Sequence, residues 1–147
     1  MILENIMKLK KILISSLLSI GLLGTTCLTY ADFNDGWNAY VQEDYKAASK
    51  EWKLLAEEGE AKSQTNLGIL YYNGKGVLKD YKKAMEWLTK AAEQGEAEAQ
   101  FILGEIYIEG KGAIKSFKTA KYWVQLAYEN GFEGAKALWD EHELWKY

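Results

Sequence analysis

The chain has 147 residues, of which 48% are hydrophobic and 27% charged, a balance that suits one folded domain and argues against disorder. Residues 32–147 hold 15 of the 18 lysines, 20 of the 21 acids and no arginine, for a net charge of −5. An acidic domain without arginine lacks the basic footprint of nucleic-acid-binding proteins, so no nucleic acid is expected as a partner.

The first segment has the organisation of an export signal. Residues 7–11 form a basic head, and residues 12–28 are an apolar run interrupted by serine, threonine and glycine. As a helix this run of about 17 residues reaches about 25 Å, short of the ~30 Å hydrocarbon core of a bilayer. Small residues at the last and third-last positions predict cleavage after Ala31, with Met7 as an alternative start. We therefore expect a mature chain, residues 32–147, that is periplasmic or secreted and has no integral membrane segment.

Cys27 is the only cysteine of the chain. It offers an alternative, in which the signal ends at a lipid attachment site and the protein is a membrane-anchored lipoprotein. Thr26 argues against this, because bacterial lipoprotein signals usually carry Gly, Ala or Ser directly before the cysteine. The expectation is that Cys27 is removed with the signal, leaving a mature chain that packing alone must stabilise.

Seven helices are predicted for the mature chain, six of them in pairs. In the first pair, apolar residues recur at intervals of three and four, the spacing of helices that bury one face. These residues are Phe33, Trp37 and Tyr40 in one helix and Tyr45, Ala48, Trp52 and Leu55 in the other. The predicted helices span residues 32–42, 44–57, 60–73, 80–93, 96–109, 116–129 and, without a partner, 132–145.

The helix boundaries carry residues with suitable backbone preferences. The glycines that follow a predicted helix, where a left-handed residue ends it, are Gly59, Gly95 and Gly131. The residues that suit N-caps are Asp44, Asp80 and Ser116. Two further glycines, Gly68 and Gly104, lie inside helices, where each costs about 1 kcal/mol relative to alanine. We therefore expect close helix contact at these two positions.

The chain repeats itself at a spacing of 36 residues. The anchors of one copy are Leu67, Gly68, Tyr71, Ala84, Trp87 and Ala91, and those of the next are Leu103, Gly104, Tyr107, Ala120, Trp123 and Ala127. A period of this length predicts an all-α solenoid of stacked helix pairs. Trp52, Trp87 and Trp123 are expected to be buried between helices.

The repeated segments resemble a known family. Residues 97–107 followed by Gly110-Lys111-Gly112 resemble the first helix and loop of a Sel1-like repeat, and residues 80–95 resemble its second helix. The resemblance covers residues 60–95 and 96–131, with residues 32–59 as a shortened, divergent first unit and 132–147 as a capping helix. It implies a right-handed α-solenoid of antiparallel helix pairs akin to tetratricopeptide arrays, acting as an adaptor that binds protein partners on its inner surface.

The resemblance has two departures. Leu78 and Ile114 stand where the family often has proline, so these loops are expected to be less rigid. Some members also pair cysteines within each repeat, and the mature chain has none. Any activity peculiar to those disulfide-rich members is therefore not expected here.

A partner-binding row follows from the resemblance, because the first helix of each pair normally lines the inner face. The candidates are Lys62, Thr65, Ile69, Tyr72, Glu98, Phe101, Glu105 and Ile108, and Asn34, Asn38 and Val41 extend the row. Apolar anchors surrounded by carboxylates suit a basic, partly apolar peptide or helix of another protein. The alternative is that Phe101 and Ile69 pack against neighbouring helices while the acids solvate a helix face.

The sequence offers no catalytic or cofactor site. His142 is the only histidine, so no histidine pair exists to share a metal, and a surface position is expected for it. The two Gly-Lys-Gly segments follow helices and fail both nucleotide-binding spacings, which makes them turns. Glu98 and Glu105 would share one helix face as solvated acids. We expect a protein that is not an enzyme and needs no cofactor.

The leading functional expectation is an exported interaction module that holds another protein or peptide of the cell envelope on its concave surface. One alternative is a periplasmic immunity protein that neutralises a toxic effector. Another is a cell-wall ligand binder or hydrolase, for which the required cluster of polar groups is not found. On the terminal helix, Trp139, Trp145 and Tyr147 are expected either to dock a partner or to cover the last repeat. The sequence leaves the oligomeric state open.

Overall fold

The computed structural model describes residues 32–147. The predictions on the export signal, on Met7, on lipidation of Cys27 and on cleavage after Ala31 lie outside the described residues. Every helix of residues 32–147 is too short or too polar to cross a bilayer.

The described residues form seven α-helices and no strand. These are α1 (Phe33–Val41), α2 (Tyr45–Glu57), α3 (Ala61–Asn73), α4 (Tyr81–Glu93), α5 (Ala97–Glu109), α6 (Phe117–Glu129) and α7 (Gly134–Glu141), followed by a 3-10 turn at Leu144–Lys146. Each helix packs mainly against its neighbours in the chain, so helix pairs stack into a solenoid. The predicted all-α solenoid is confirmed, and the bounds of the first six helices agree with the prediction to within one residue.

The predicted helix ends are confirmed by hydrogen bonds and backbone angles. Side-chain oxygens of the three predicted N-caps accept from the amide three residues on, at 3.0 Å for Asp44 and Asp80 and 3.2 Å for Ser116. Gly59 and Gly95 end their helices with φ of +95° and +90°, in the left-handed region that side chains disfavour. Local sequence alone therefore determines where these helices begin and end.

The predicted close contacts at Gly68 and Gly104 are confirmed as well. A Cβ atom on Gly68 would lie 2.7 Å from Leu88 Cγ, and one on Gly104 would lie 2.5 Å from Val124 Cγ2. In each pair the second helix therefore packs directly on the backbone of the first. This packing offsets the intrinsic cost of a glycine within a helix.

The first pair follows the same design at a different spacing. Its loop, residues 42–44, is four residues shorter than the loops at residues 74–80 and 110–116. Gly36 therefore takes the place of Gly68 although it lies 32 residues earlier, and Trp52 takes the place of Leu88 against it. Trp52 is 1% exposed.

This register corrects the expectation for the tryptophans. Trp52 belongs to the same repeat position as Leu88 and Val124, which are fully buried, and not to that of Trp87 and Trp123. The latter two are only half-buried. Each lies one residue before the buried position of its helix. The Nζ atom of Lys90 lies 4.2 Å from the ring centroid of Trp87. The prediction that both are core residues was wrong.

Buried apolar residues form three clusters along the array. Trp52, Leu70 and Ala48 make the first, a second surrounds Leu88 and Leu103, and a third joins α5, α6 and α7. All members lie between residues 33 and 144, and residues 32–147 make a compact unit of their own. Since the array contains its own core, it is expected to fold without the first 31 residues.

Two buried glutamines connect consecutive pairs. Gln64 donates through Nε2 to the Ala56 carbonyl at 3.0 Å and accepts from Gln94 Nε2 at 2.7 Å. Gln100, which lies 36 residues later, donates to the Ala92 carbonyl at 2.9 Å and accepts from Asn130 at 2.9 Å. Each glutamine therefore joins the end of the preceding pair to both helices of its own pair. The 36-residue spacing could have revealed this link, but the sequence interpretation missed it.

The last helix is shorter than predicted. It ends at Glu141, Glu143 adopts a left-handed φ of +49°, and Leu144 is buried at 0% exposure. A helix continued to residue 145 was therefore a wrong prediction, because the chain turns back to cover the end of the third cluster with Leu144. Trp139 packs on that cluster, whereas Trp145 remains 51% exposed.

Candidate partner-binding groove

A groove of about 530 Å³ is lined by residues of α1 and α3 and by residues at the start of α5. It is lined by Phe33, Asn34 and Trp37 from α1, by Lys62, Thr65 and Asn66 from α3, and by Glu96 and Glu98 at the start of α5. One wall is therefore aromatic and one end acidic. Four residues of the predicted row, namely Asn34, Lys62, Thr65 and Glu98, are among these lining residues.

The contribution of α1 differs from the sequence prediction. Counted from the packing glycine, Trp37 is equivalent to Ile69 and Glu105, because each follows its glycine by one residue. The four-residue shortening of the first loop displaces α1 from the 36-residue register. Asn38 and Val41 are therefore exposed outside the groove, while Phe33 and Trp37, which had been interpreted as packing residues, line it.

Trp37 is an accessible aromatic surface with a rigid support. Its side chain is 48% exposed and stacks on Tyr40 with a centroid distance of 5.8 Å and an angle of 19°. Tyr40 in turn packs on the buried Trp52 at 5.6 Å. This chain of rings fixes the indole before a ligand arrives, which lowers the entropy lost on binding.

The acidic end of the groove carries charge that lacks full hydration. Desolvation raises the pKa of the Glu98 carboxyl above its ordinary value, and the charge of Glu96 raises it further. Two carboxyl groups that repel each other gain from a cation placed between or beside them. Lys62 is the one cationic side chain among the lining residues of this groove.

Thr65 contributes little that a partner could reach. Its side chain is 1% exposed, and its hydroxyl donates to the Ala61 carbonyl of its own helix at 3.0 Å. Asn66, which the sequence interpretation missed, is half-buried in the same wall. Asn34 and Asn66 each precede the packing glycine of their helix by two residues. Two side-chain amides at equivalent positions therefore border the groove.

A second acidic cluster lies further along the first helices. The Tyr72 hydroxyl donates to Glu109 Oε2 at 3.1 Å, and burial together with this bond raises the pKa of Tyr72 to about 12. Desolvation, followed by the charge of Glu109, raises the pKa of Glu105. Lys111 pairs with Glu109 at 3.0 Å and holds the pKa of that carboxyl below its ordinary value. Glu105 is therefore the less compensated charge of the cluster.

The remaining predicted residues belong to the packing of the array. Phe101 stacks on Phe132 at 4.6 Å and packs on the third cluster. Ile108 is 5% exposed and is a member of that cluster, so it offers no side chain to a partner. Ile69 is half-buried. For Phe101 the packing alternative therefore describes the structure, and Ile108, which was expected in the partner-binding row, is a core residue instead.

A second cavity, of about 570 Å³, lies between α6 and α7. Tyr128, Trp139, Lys136 and Asp140 are among its lining residues, and Lys136 and Asp140 bond to each other at 2.7 Å. Among the residues that line this cavity, Glu129 is the one other charged residue. Trp139 packs on the third cluster, as expected for a residue that covers the last repeat, and it also borders this cavity.

Within residues 32–147, no three His, Cys, Asp or Glu side chains are grouped as a metal site would require. His142 is half-buried at the end of α7, with its ring 6.5 Å from that of Phe117. The two Gly-Lys-Gly segments are loops that end helices, as predicted.

The two repeats match a known family of repeats. The model of the Sel1 repeat matches residues 61–96 and 97–132, one residue from the predicted bounds. Comparison with curated protein sequences gives no match.

The solved structures that are similar to this chain include the following three. The first is c5321, a protective antigen of uropathogenic Escherichia coli strains with an SLR fold, at 32% identity and a TM-score of 0.64 over 67% of this chain. The second is a Sel1 repeat protein from Oxalobacter formigenes, at 31% identity and a TM-score of 0.65 over 76% of this chain. The third, Helicobacter pylori cysteine rich protein B, shares 23% identity and a TM-score of 0.59 over 76% of this chain and 98% of its own, which shows a common fold. The alignments span only 22% of the first structure and 49% of the second.

Proposed function

Since the chain belongs to the Sel1-like repeat family, whose members generally bind other proteins, we propose that it is a non-catalytic interaction module that holds a basic segment of a partner protein in the groove between α1 and α3. The binding mode is a lysine or arginine side chain of the partner lying over Trp37 with its charge toward Glu96 and Glu98. Apolar neighbours of that side chain contact Phe33.

The observation that carries this proposal is the placement of Trp37 and Glu98 in one groove. An indole face attracts a cation more strongly than the other aromatic side chains do. Glu98 is exposed at the edge of the groove, and partial desolvation together with the charge of Glu96 raises the pKa of its carboxyl, so a cationic ligand would stabilise its ionised form. The aromatic ring of Trp37 and the carboxyl of Glu98 therefore both favour a cationic group of the partner.

The proposed setting is the cell envelope, reached by cleavage of the export signal after Ala31. The partner is then another envelope protein. A toxic effector with a basic surface would fit the same groove, in which case the module would act as an immunity protein by occupying that surface. The identity of the captured protein separates these two roles.

The proposal is tested in two steps with residues 32–147. Proteins captured from an envelope extract of the native organism are identified, and the binding of each purified candidate is then measured by calorimetry. Trp37→Ala and Glu98→Gln are each expected to weaken binding by about ten- to thirtyfold, because central aromatic and desolvated charged contacts dominate such interfaces. Replacing the partner's contacting lysine or arginine by glutamine should have the same effect.

Matched controls come from exposed residues outside the groove. Tyr122→Ala removes an aromatic ring that is 57% exposed on α6, and Glu86→Gln removes a charge on α4. Both should bind like the wild type. Partner binding that is unchanged by the groove variants, with helicity intact, would assign the interaction to another surface and refute the proposal.

A further inference from the structure

The two long loops each project one aliphatic side chain into solvent. Leu78 and Ile114 lie 36 residues apart and are each 91% exposed, the highest values among the large hydrophobic residues of the described chain. Their neighbours behave oppositely, since Val77 packs on the first cluster and Ala113 on the second. Each loop thus packs one half-buried apolar residue on a cluster and exposes the next, at the same position of two consecutive repeats.

These loops follow one another along a single edge of the array. A Cβ atom on Gly76 would lie 2.2 Å from the Tyr45 carbonyl, and one on Gly112 would lie 2.7 Å from Tyr81 Cβ. Each loop therefore rests on the first residue of the second helix in the preceding pair. Leu78 and Ile114 consequently stand on neighbouring loops of the same edge.

The same edge concentrates positive charge. Residues 74–83 and 110–119, which we call the lysine edge, contain seven lysines and one acid, a net charge of +6 in a domain whose net charge is −5. The lysines are Lys75, Lys79, Lys82, Lys83, Lys111, Lys115 and Lys118. The groove carries the opposite charge, so the two surfaces select different ligands.

Aromatic rings hold several of these lysines at the edge. The Nζ atom of Lys79 lies 5.3 Å from the ring centroid of Tyr81, and that of Lys115 lies 4.9 Å from Phe117 at the equivalent position. Lys75 lies 4.7 Å from the ring of Tyr45. The pattern repeats with the loops, so the positive charges flank both exposed aliphatic residues.

We propose that the lysine edge docks on the surface of an anionic lipid bilayer, with Leu78 and Ile114 entering the headgroup region and the lysines contacting lipid phosphates. Stable membrane binding generally needs two signals, and a basic patch with inserted apolar side chains provides both. Neither of the two cavities described above is lined by residues of these loops, and the aliphatic residues stand singly on loop tips. A bilayer can receive such tips, whereas an acidic peptide would find no groove beside them.

The test is flotation of residues 32–147 with lipid vesicles. Binding is expected with mixed phosphatidylglycerol and phosphatidylcholine vesicles, to fall steeply with added salt, and to be absent with phosphatidylcholine alone. The variant Lys75→Gln, Lys79→Gln, Lys115→Gln, Lys118→Gln should lose about fivefold in affinity for each lysine removed. Leu78→Ser with Ile114→Ser should lose on the order of tenfold, since the inserted apolar surface is gone.

Two control variants match these changes elsewhere on the surface. Tyr122→Ser with Tyr128→Ser removes two rings that are 57% and 58% exposed, and the variant Lys50→Gln, Lys53→Gln, Lys136→Gln, Lys146→Gln removes four exposed charges. Both, and the groove variant Glu98→Gln, should bind vesicles like the wild type, which makes this result independent of the proposed function. Equal losses in control and edge variants, or equal binding to neutral vesicles, would overturn the proposal. Binding of polyglutamate but not of vesicles would also overturn it, and would assign the edge to an acidic protein.

Discussion

The backbone of Gly36 lies against the indole of Trp52, so that a Cβ atom at position 36 would come within 2.4 Å of Trp52 Nε1. The indole nitrogen also donates to the Phe33 carbonyl at 3.4 Å. The first pair therefore places a tryptophan where the later pairs place leucine and valine. This tryptophan also supports α1, whose residues Phe33 and Trp37 line the groove.

We predict that Gly36→Ala destabilises the domain by about 1–3 kcal/mol, because the added methyl group forces the buried ring aside. Helix propensity alone would favour alanine by about 1 kcal/mol, so a loss can come only from overpacking. Urea unfolding followed by circular dichroism measures the change. An unchanged or higher midpoint would show that α1 does not rest on Trp52.

The tryptophans should differ in their effect on stability. Trp52→Ala is expected to cost about 3–5 kcal/mol, because it removes a fully buried ring. Trp87→Ala should lower the free energy of unfolding by clearly less, since Trp87 is half-buried and one face of its ring contacts the exposed Lys90. Unfolding midpoints of the two variants give the comparison, and equal losses would contradict the register that places Trp52 with Leu88.

The buried glutamine of the third pair should contribute to the joint between repeats. Gln100→Ala is predicted to cost about 1–3 kcal/mol, because it removes two hydrogen bonds and leaves Asn130 without its acceptor. Hydrogen exchange at the ends of α4 and α6 should rise in the same variant. If hydrogen exchange rose only within α5, Gln100 would not act as a link between the two pairs.

Ser63 provides the matched control for this buried polar position. Its hydroxyl is buried and has no hydrogen-bond partner within residues 32–147, and the equivalent residue of the next repeat is Ala99. Ser63→Ala should therefore leave the free energy of unfolding unchanged or raise it by about 1 kcal/mol. A loss comparable to that of Gln100→Ala would reveal a partner for the hydroxyl.

The stability of the domain should depend on pH through Glu98 and Glu105. Both carboxyls have a pKa raised in the folded state, so their ionised forms oppose folding above that pKa, and the cost disappears as the pH falls below the unfolded value. Glu98→Gln with Glu105→Gln is therefore expected to melt at a higher temperature than the wild type at pH 7. The difference should vanish near pH 4, within about half a unit of the ordinary glutamate pKa. A variant that is less stable at pH 7 would show that the two carboxylates are compensated in the native state.

Much of the fold could be predicted from local patterns. Asp80 and Gly95 mark helix ends because their side-chain and backbone preferences act within one turn, and both positions behave as predicted. Gly68 indicated a close helix contact because nothing else explains a glycine at that position of a helix. The candidate site was harder to predict, since Thr65 and Ile108 share the helical spacing of Lys62 and Glu98 but are buried.

The sequence by itself determined the repeat, its 36-residue period, the bounds of the first six helices and the family, since all of these follow from local backbone preferences and from residues that recur at constant spacing. Tertiary structure decided which aromatic residues are buried and which are offered to a partner. A period counts residues, whereas burial depends on how near the next helix lies. The short first loop shifts α1 by four residues relative to that period and leaves Trp37 in the groove, whereas Trp52 on α2 keeps the register of Leu88 and is buried. The separation of charge between the acidic groove and the lysine edge arises in the same way, because only the stacking of pairs brings residues 36 positions apart onto one surface.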